Sequence, residues 1–212
     1  MSFVDPLKRA AFRLHRTQVY EPRNRRIAEG LAARIGRADS LLDVGCGDGS
    51  TAKAVAALVG AGRVEGVEVQ VRPERHIEVK AFDGSSLPFG DRSFDAVTIA
   101  DVLHHAEDPQ RLLSECVRVC KQCVVVKDHF AFGAVSEKLL LWLDKAGNAA
   151  AEVPVRGTYF NPSQWTGMVA AASARMSALD WPFKVHDLPW RILMPSQLQF
   201  VARLEPVRVS NP

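Results

Sequence analysis

The sequence predicts an α/β protein built on a doubly wound, mostly parallel sheet. Short apolar runs alternate with segments of helical periodicity along most of the chain, an order typical of βαβ units. A glycine-rich loop directly follows the first apolar run. The chain has 212 residues, 47% of them hydrophobic, and no linker-like stretch divides it, so one domain with a full core is expected.

Apolar periodicity and breaker residues predict the individual elements. Residues 6–35 have helical spacing with a break point at Pro22, and we expect residues 1–35 to form a helical cover over a domain of residues 36–212. Strands are predicted at Ser40–Val44, Arg63–Val69, Ile77–Phe82, Phe94–Ala100 and Cys123–Lys127, with later ones near Phe183–His186 and Leu198–Leu204. Helices are predicted at Ser50–Val59, Asp108–Val119, Val135–Ala150 and Pro162–Ser177.

The loop after the first strand reads Asp43-Val44-Gly45-Cys46-Gly47-Asp48-Gly49. Ligands of open α/β sheets bind beyond the carboxyl ends of the strands, and glycines there let a ligand approach the backbone. The Gly-x-Gly-x-Gly spacing differs from the dinucleotide pattern Gly-x-Gly-x-x-Gly and lacks the Lys-Ser/Thr of a phosphate-binding loop. Its two carboxylates would repel a pyrophosphate but suit a ligand with ammonium and sulfonium groups. The loop therefore favours S-adenosylmethionine over NAD.

Acidic residues also follow the second and third strands. Glu68 ends the second strand, where a carboxylate can accept hydrogen bonds from both hydroxyls of a ribose. Asp83 and Gly84 follow the third strand, where a carboxylate could accept the amino group of adenine. Each marker alone is equally compatible with a turn or a solvated acid. Together, at the ends of consecutive strands, they favour an adenosyl ligand.

A longer stretch, from about Leu41 to Lys127, resembles a known family. It includes the segments Ser86-Leu87-Pro88-Phe89, Ser93-Phe94-Asp95-Ala96-Val97 and Asp101-Val102-Leu103-His104-His105, then Pro109, Leu112-Leu113, Glu115 and Arg118-Val119. These residues are similar to the methyltransferase type 11 group of class I S-adenosylmethionine-dependent methyltransferases, which includes ubiquinone and menaquinone biosynthesis C-methyltransferases. The resemblance implies a Rossmann-like, seven-stranded sheet whose last strand is antiparallel, with the cofactor across the first four strands.

The resemblance also implies roles for particular residues. Asp43, Gly45 and Gly47, with Cys46 in the same loop, would meet the methionine part of the cofactor. Glu68 would bind the ribose, Asp83 and Gly84 the adenine, and Ala100 and Asp101 would close the pocket near the sulfonium. One departure concerns the adenine side: only eight residues, 69–76, separate Glu68 from the next strand, too few for the usual helix.

Two polar clusters are candidates for contact with the methyl acceptor. His104 and His105 follow the fourth strand, where an imidazole could act as a base or contact the substrate. Asp128 and His129 end the fifth strand, where an Asp-His pair could orient a base. The alternatives are a helix cap or loop packing for the first pair and a solvated strand end for the second. Asp144, Asn148, Tyr159 and Trp165 belong to segments that could form a substrate lid.

The cysteines Cys116, Cys120 and Cys123 have the spacing of an iron–sulfur triad. Such a triad needs a loop that can wrap a cluster, whereas Cys116 and Cys120 fall on a predicted helix and Cys123 begins a predicted core strand. Buried cysteines behave as small apolar residues. We therefore expect packing roles for all three and no metal.

The charge of the chain is concentrated at its start. Residues 1–30 contain seven Lys or Arg against three acids, although the whole chain carries only +3. This segment could contact an anionic substrate or a membrane surface that holds a lipid-like quinone precursor, or it could be a solvated cover over the cofactor cleft. No apolar run approaches the roughly 20 residues of a membrane span. Cysteine usage and the absence of a signal-peptide pattern predict a cytoplasmic location.

The leading functional hypothesis is methyl transfer to an O, N or C atom of a small molecule. The Asn-Pro-Pro-Tyr motif, which resembles enzymes that methylate the amino groups of adenine or glutamine, is absent. An RNA methyltransferase is the second hypothesis, supported only by the basic N-terminus. A non-catalytic subunit that binds S-adenosylmethionine is the third, and a dehydrogenase is disfavoured by the loop. The sequence does not predict the oligomeric state.

Overall fold

A computed structural model describes residues 16–148, 156–187 and 190–207. The basic residues Lys8, Arg9 and Arg13 of the predicted cover lie outside them. The strands are β1 (Ser40–Val44), β2 (Arg63–Glu68), β3 (Glu78–Ala81), β4 (Phe94–Ala100), β5 (Cys120–His129), β6 (Ala174–Asp180) and β7 (Gln199–Pro206). The helices are α1 (Glu21–Ile35), α2 (Ser50–Val59), α3 (Pro109–Val119), α4 (Ala134–Asn148), α5 (Pro162–Ala171) and the short α6 (Trp190–Leu193). A π-helical turn, Arg16–Tyr20, precedes α1, and 3-10 turns occupy Leu103–His105 and Ser196–Leu198.

The seven strands form one sheet in the order β3-β2-β1-β4-β5-β7-β6. Strands β1 to β5 run parallel to one another, and β7 runs antiparallel to both β5 and β6. The expected seven-stranded, Rossmann-like sheet with an antiparallel last strand is therefore confirmed. The strand order reverses between β1 and β4, so the carboxyl ends of these two strands form the switch point at which ligands of such sheets bind.

Alternating side chains of the buried strands supply the two cores. Leu42 and Val44 of β1 belong to the core on one face of the sheet, whereas Leu41 belongs to the core on the other face. Side chains alternate in this way because successive residues of a strand point to opposite faces. Helices α3 and α5 contribute to the first core and helices α1 and α2 to the second. Helix α1 is thus packed onto the sheet, with Ile27 and Leu31 fully buried.

The connection between β2 and β3 agrees with the sequence prediction. Between β2 and β3 the described residues contain no helix, as the short spacing after Glu68 predicts. Pro22 lies in the first turn of α1, where a missing N–H costs nothing, so it begins the helix instead of breaking one.

Two predictions in the C-terminal third were wrong. The helix predicted at Pro162–Ser177 ends at Ala171, and Ala174–Asp180 form an edge strand instead. Ser173 ends the helix with a φ of +55°. The alanines there have high helix propensity, but pairing with β7 overrides it. The strand predicted near Phe183–His186 is not formed, and its residues belong to an irregular connection.

The cysteines are packing residues, as expected. Cys116, Cys120 and Cys123 are buried and unpaired, and burial is the largest cause of their raised pKa values. Cys120 is the first residue of β5 and not the last turn of a helix, because β5 begins three residues earlier than predicted. Within the described ranges, no helix has both the length and the apolar character that crossing a membrane requires.

Candidate active site

The glycine-rich loop forms a cradle at the carboxyl end of β1. Gly45, Gly47 and Gly49 have φ values of +70°, +59° and +77°, a region that favours glycine. A Cβ on Gly45 would lie 2.3 Å from Cγ2 of Val102, so this position also needs a residue without a side chain. The backbone can therefore approach a ligand closely at this point, as the spacing of the motif predicts.

Two carboxylates lie beside this cradle. Asp43 is buried and accepts a hydrogen bond from Thr98 Oγ1 at 2.7 Å. Burial raises the pKa of Asp43 to about 7 despite that bond, and no cation among the described residues opposes this effect. Glu68 accepts the N–H of Gly47 at 2.8 Å and the N–H of Val69 at 2.9 Å. Glu68 therefore lies against the loop, as an acid at the end of the second strand should.

Cys46 lines the cavity of this loop but serves mainly as packing. A Cβ on Gly66 of β2 would lie 2.4 Å from the Cys46 sulfur, so the thiol fills the space that this glycine leaves. Burial, reinforced by the charge of Asp43, raises the pKa of Cys46 to about 12. The thiol is therefore neutral, and its backbone N–H donates to Val67 O at 3.2 Å.

Asp101, directly after β4, is the centre of an ion-pair cluster. Its side chain pairs with Lys127 of β5, which is fully buried, and with Arg23 of α1. Burial opposes its charge, but Lys127 and Arg23 outweigh that effect and hold the pKa of Asp101 far below its usual range. Asp101 has a φ of +58°, and its N–H donates to Lys127 O at 2.8 Å. The carboxylate is thus fixed at the switch point by two cations.

A cavity of about 70 Å³ lies between α1, the glycine-rich loop and the end of β4. Its lining residues are Arg23, Asn24, Ile27, Asp43, Gly45, Cys46, Thr51, Ala100 and Asp101. Pockets for cofactor-sized ligands generally measure about 300–1,000 Å³. The cavity is smaller than this, and Arg23 is one of the residues that line it.

The two residues predicted on the adenine side lie further from the cavity. Asp83 is exposed and accepts the N–H groups of Ser85 and Ser86, at 2.8 and 2.7 Å. Gly84 has a φ of +83°, which this turn requires. Neither residue lines the cavity, so their contact with adenine stays a prediction.

The predicted acceptor-side residues form one buried cluster with two residues of the C-terminal third. His104 Nδ1 lies 2.6 Å from Asp128 Oδ1, and His104 Nε2 lies 3.2 Å from Asp144 Oδ2. The Tyr159 hydroxyl donates to Asp144, and the Tyr159 ring stacks on that of His104 with centroids 5.4 Å apart. We call His104, Asp128, Asp144, Tyr159 and the adjacent His105 the histidine cluster.

The charges in the histidine cluster differ from one imidazole to the next. Burial disfavours a charged His104, but Asp128 and Asp144 outweigh it and raise its pKa to about 10. Burial and the charge of His104 lower the pKa of His105. His129 Nδ1 lies 3.5 Å from Asp101 Oδ1, and burial and the charge of Lys127 lower its pKa. His129 therefore links the histidine cluster to Asp101.

The structure brings together most of the residues that the sequence singled out, and it adds four that sequence reasoning missed or left unplaced. Arg23 and Lys127 pair with Asp101, and Asp144 and Tyr159 complete the histidine cluster. A lysine inside a continuous apolar strand was the available signal for Lys127, because a buried lysine needs a partner. Arg23 carried no comparable signal among its neighbouring arginines.

Comparisons with known proteins agree with this geometry. Residues 42–125 match the family described as a methyltransferase domain. A demethylmenaquinone methyltransferase of Renibacterium salmoninarum is 33% identical over 105 residues, which are 46% of this chain and 44% of that protein. The chain thus spans less than half the length of this relative.

Solved structures show the same fold over more of the chain. One is a methyltransferase in complex with the Haloferax volcanii Trm112 methyltransferase activator, with a TM-score of 0.66, 17% identity, and coverage of 91% of this chain and 92% of that one. Another is the geranyl diphosphate C-methyltransferase of Streptomyces coelicolor A3(2), with a TM-score of 0.63, 17% identity, and coverage of 85% and 76%.

The predicted resemblance is confirmed over residues 42–125, which match a methyltransferase domain. The chain has the fold of the methyltransferases among these solved structures.

Proposed function

We propose that this protein binds S-adenosylmethionine at the carboxyl ends of β1, β2 and β4 and transfers its methyl group to a small molecule held beside the histidine cluster. The observation that carries the proposal is the placement of three carboxylates, those of Asp43, Glu68 and Asp101, around a loop of positive-φ glycines. The acids Asp43 and Glu68 suit a cationic ligand and disfavour the pyrophosphate of NAD, whereas Asp101 is already paired with Lys127 and Arg23.

The donor set fits each part of this cofactor. The carboxylate of Asp43 has no cation beside it in the described part of the chain, and it faces the cavity where an ammonium group would lie. Glu68 accepts one backbone N–H on each carboxylate oxygen, which leaves a further lone pair on each oxygen for the paired hydroxyls of a ribose. Ala100 and Asp101 line the same cavity from β4, beside the expected position of the sulfur.

When bound, S-adenosylmethionine supplies a methyl group activated by positively charged sulfur. An acceptor lone pair forms the new bond to that carbon as the carbon–sulfur bond breaks, and the electron pair stays on sulfur. The protein's contribution is to align the acceptor and to exclude water. Helix α1 covers the cofactor side for this purpose, with Arg23 above Asp101.

His105 is our candidate for contact with the acceptor. It is partly exposed, whereas His104 and Asp128 are fully buried behind it. Its lowered pKa keeps its ring neutral near pH 7, so it can accept a proton from an acceptor O–H or N–H. His104, Asp128 and His129 act as positioning residues, because their contacts lie within the cluster and with Asp101.

A small-molecule acceptor is supported by the names of the similar proteins. The relatives act, by their names, on demethylmenaquinone and geranyl diphosphate. Two basic side chains of α1 pair with other parts of the fold: Arg23 pairs with Asp101 and Arg26 with Asp187. Those pairs favour a cover over the cleft rather than a nucleic-acid surface. A cytoplasmic location and the division at residue 35 remain predictions.

Methyl transfer from labelled S-adenosylmethionine tests the proposal. Incubation of the enzyme with total RNA, with an organic extract and with the aqueous metabolites of the same cells is expected to label one of the two small-molecule fractions. Boiled enzyme serves as the control. Label confined to RNA would contradict this proposal and favour an RNA methyltransferase. No label in any fraction would favour a non-catalytic subunit.

A further inference from the structure

We propose that the histidine cluster is a binding site for a divalent transition-metal ion, with His104, His105 and Asp144 as its ligands. One ligand atom of each residue lies within 4.8 Å of the others, and two imidazoles with one carboxylate form a set that zinc, iron, manganese and cobalt accept. A metal–ligand bond of about 2.1 Å needs donor atoms somewhat closer than this. Binding of the ion therefore requires side-chain rotations that bring the three donor atoms closer together.

The hydrogen bond between His104 and Asp128 prepares His104 for this role. Asp128 is fully buried, and its Oδ1 lies 2.6 Å from Nδ1 of His104. Nε2 is therefore the nitrogen of His104 that is left to bind an ion. Histidine ligands generally donate their other ring N–H to a carboxylate, which fixes the ring and the tautomer. The proposed site has the same order of contacts, from Asp128 through His104 to the metal ion.

Polar atoms of the cluster point toward the proposed centre without satisfying one another. His104 Nε2 and His105 Nδ1 are both buried, and neither has a hydrogen-bond partner among the described residues. His104 Nε2 is 3.2 Å from Asp144 Oδ2, but the two groups lack the alignment of a hydrogen bond. Buried polar atoms without partners are costly, and a shared cation would satisfy both nitrogens at once.

The charges favour a dication. Of the acids around the cluster, Asp101 is matched by Lys127 and Arg23. Asp128 and Asp144 both face His104. A divalent ion bound to the neutral ring would take the place of the proton that these two carboxylates favour on His104. The overlapping group of His104, Asp128 and His129 is less suitable, because the positive charge of Lys127 acts on His129.

The three ligands leave coordination positions open, as catalytic metal sites do. The expected occupant is an oxygen of the methyl acceptor, whose proton the ion would acidify and whose position it would fix. With the ion bound, His105 would act as its ligand, and the ion would take over the role of proton removal proposed above for His105. This last role rests on the proposed function. Metal binding itself does not, since it depends only on the cluster.

Calorimetric titration of chelator-stripped protein with Zn²⁺ tests the proposal, with Mg²⁺ as the comparison ion. We expect one Zn²⁺ per chain, at least about tenfold weaker binding for Asp144→Asn and for His105→Gln, and little Mg²⁺ binding, since removal even of indirect supports costs about 10–100-fold. His76→Gln is the matched control, because His76 is exposed and remote from the cluster. Co²⁺ bound to wild type should show the visible absorption of a nitrogen- and oxygen-ligated ion.

Titration of the same variants with S-adenosylhomocysteine reports on folding and separates the two proposals. Retained nucleoside binding with lost Zn²⁺ binding in Asp144→Asn and His105→Gln supports the metal site. Equal Zn²⁺ affinity in wild type and both variants would overturn it. So would loss of binding in His129→Gln alone, which would place the ion elsewhere. Zn²⁺ binding without any S-adenosylhomocysteine binding would instead count against the proposed function.

Discussion

Glu68→Gln is expected to weaken S-adenosylhomocysteine binding by about 10- to 100-fold, because a hydrogen bond to a charged group contributes about 1.5–3 kcal/mol. Glu68 accepts two backbone N–H groups, one of them from Gly47 of the glycine-rich loop. Glutamine offers only one acceptor oxygen and would place its NH₂ group against an N–H. The substitution should weaken both the hydrogen bond to the loop and the contact with the ribose. Calorimetry on the purified variants measures the change.

Glu65→Gln is the matched control for this substitution. It makes the same chemical change on the same strand, but Glu65 pairs with Arg63 and Lys80, whereas Glu68 accepts the N–H of Gly47 in the glycine-rich loop. Its affinity for S-adenosylhomocysteine should equal that of wild type. If Glu68→Gln bound the ligand as tightly as Glu65→Gln, the assignment of the ribose contact would be wrong.

Asp101→Asn should lower the free energy of unfolding by about 3 kcal/mol, because it leaves a buried charge without a partner. Lys127 is fully buried, and its ammonium group pairs with Asp101. Burial lowers the pKa of Lys127, and Asp101 is the largest influence that opposes this effect, so its removal leaves the burial of the ammonium group opposed mainly by the charge of Asp128. Urea denaturation monitored by tryptophan fluorescence gives the unfolding free energy.

The double variant Asp101→Asn with Lys127→Met distinguishes a broken ion pair from general damage to the site. Methionine fills a similar volume without a charge, and replacement of a whole buried pair by apolar residues is often neutral. The double variant should therefore recover most of the stability that the single variant loses. If the single variant unfolded with the same free energy as wild type, a group other than Asp101 would have to stabilise the charge of Lys127, and the prediction would be wrong.

The sequence predicted the N-terminal two thirds of the sheet well because local patterns decide that part. Ser40–Val44, Ser50–Val59 and Phe94–Ala100 have the predicted bounds, since each is a continuous apolar or breaker-free run next to glycines or polar residues. Ala174–Asp180 was predicted as helix because its propensity is helical. Only pairing with the distant β7 makes it a strand.

The candidate site also has a part that the sequence predicted and a part that it did not. The residues of the cofactor cradle lie at strand ends, so a motif and a strand order were enough to place Asp43, Gly45 and Glu68. Asp144 and Tyr159 reach His104 from α4 and from the segment before α5. Their approach depends on how the C-terminal third packs over the sheet edge, and no local spacing encodes that. Arg23 reaches Asp101 across 78 residues for the same reason.

The central claim is that the cofactor lies in the cradle with its sulfur at the end of β4 and its reactive side toward the histidine cluster. A crystal structure with S-adenosylhomocysteine tests this most directly. We expect the ribose on Glu68, the sulfur beside Ala100 and Asp101 with its open side toward His105, and the Arg23 side chain displaced, since the present cavity measures about 70 Å³. A ligand bound away from the cradle, or a sulfur whose open side faces away from the histidine cluster, would contradict the account.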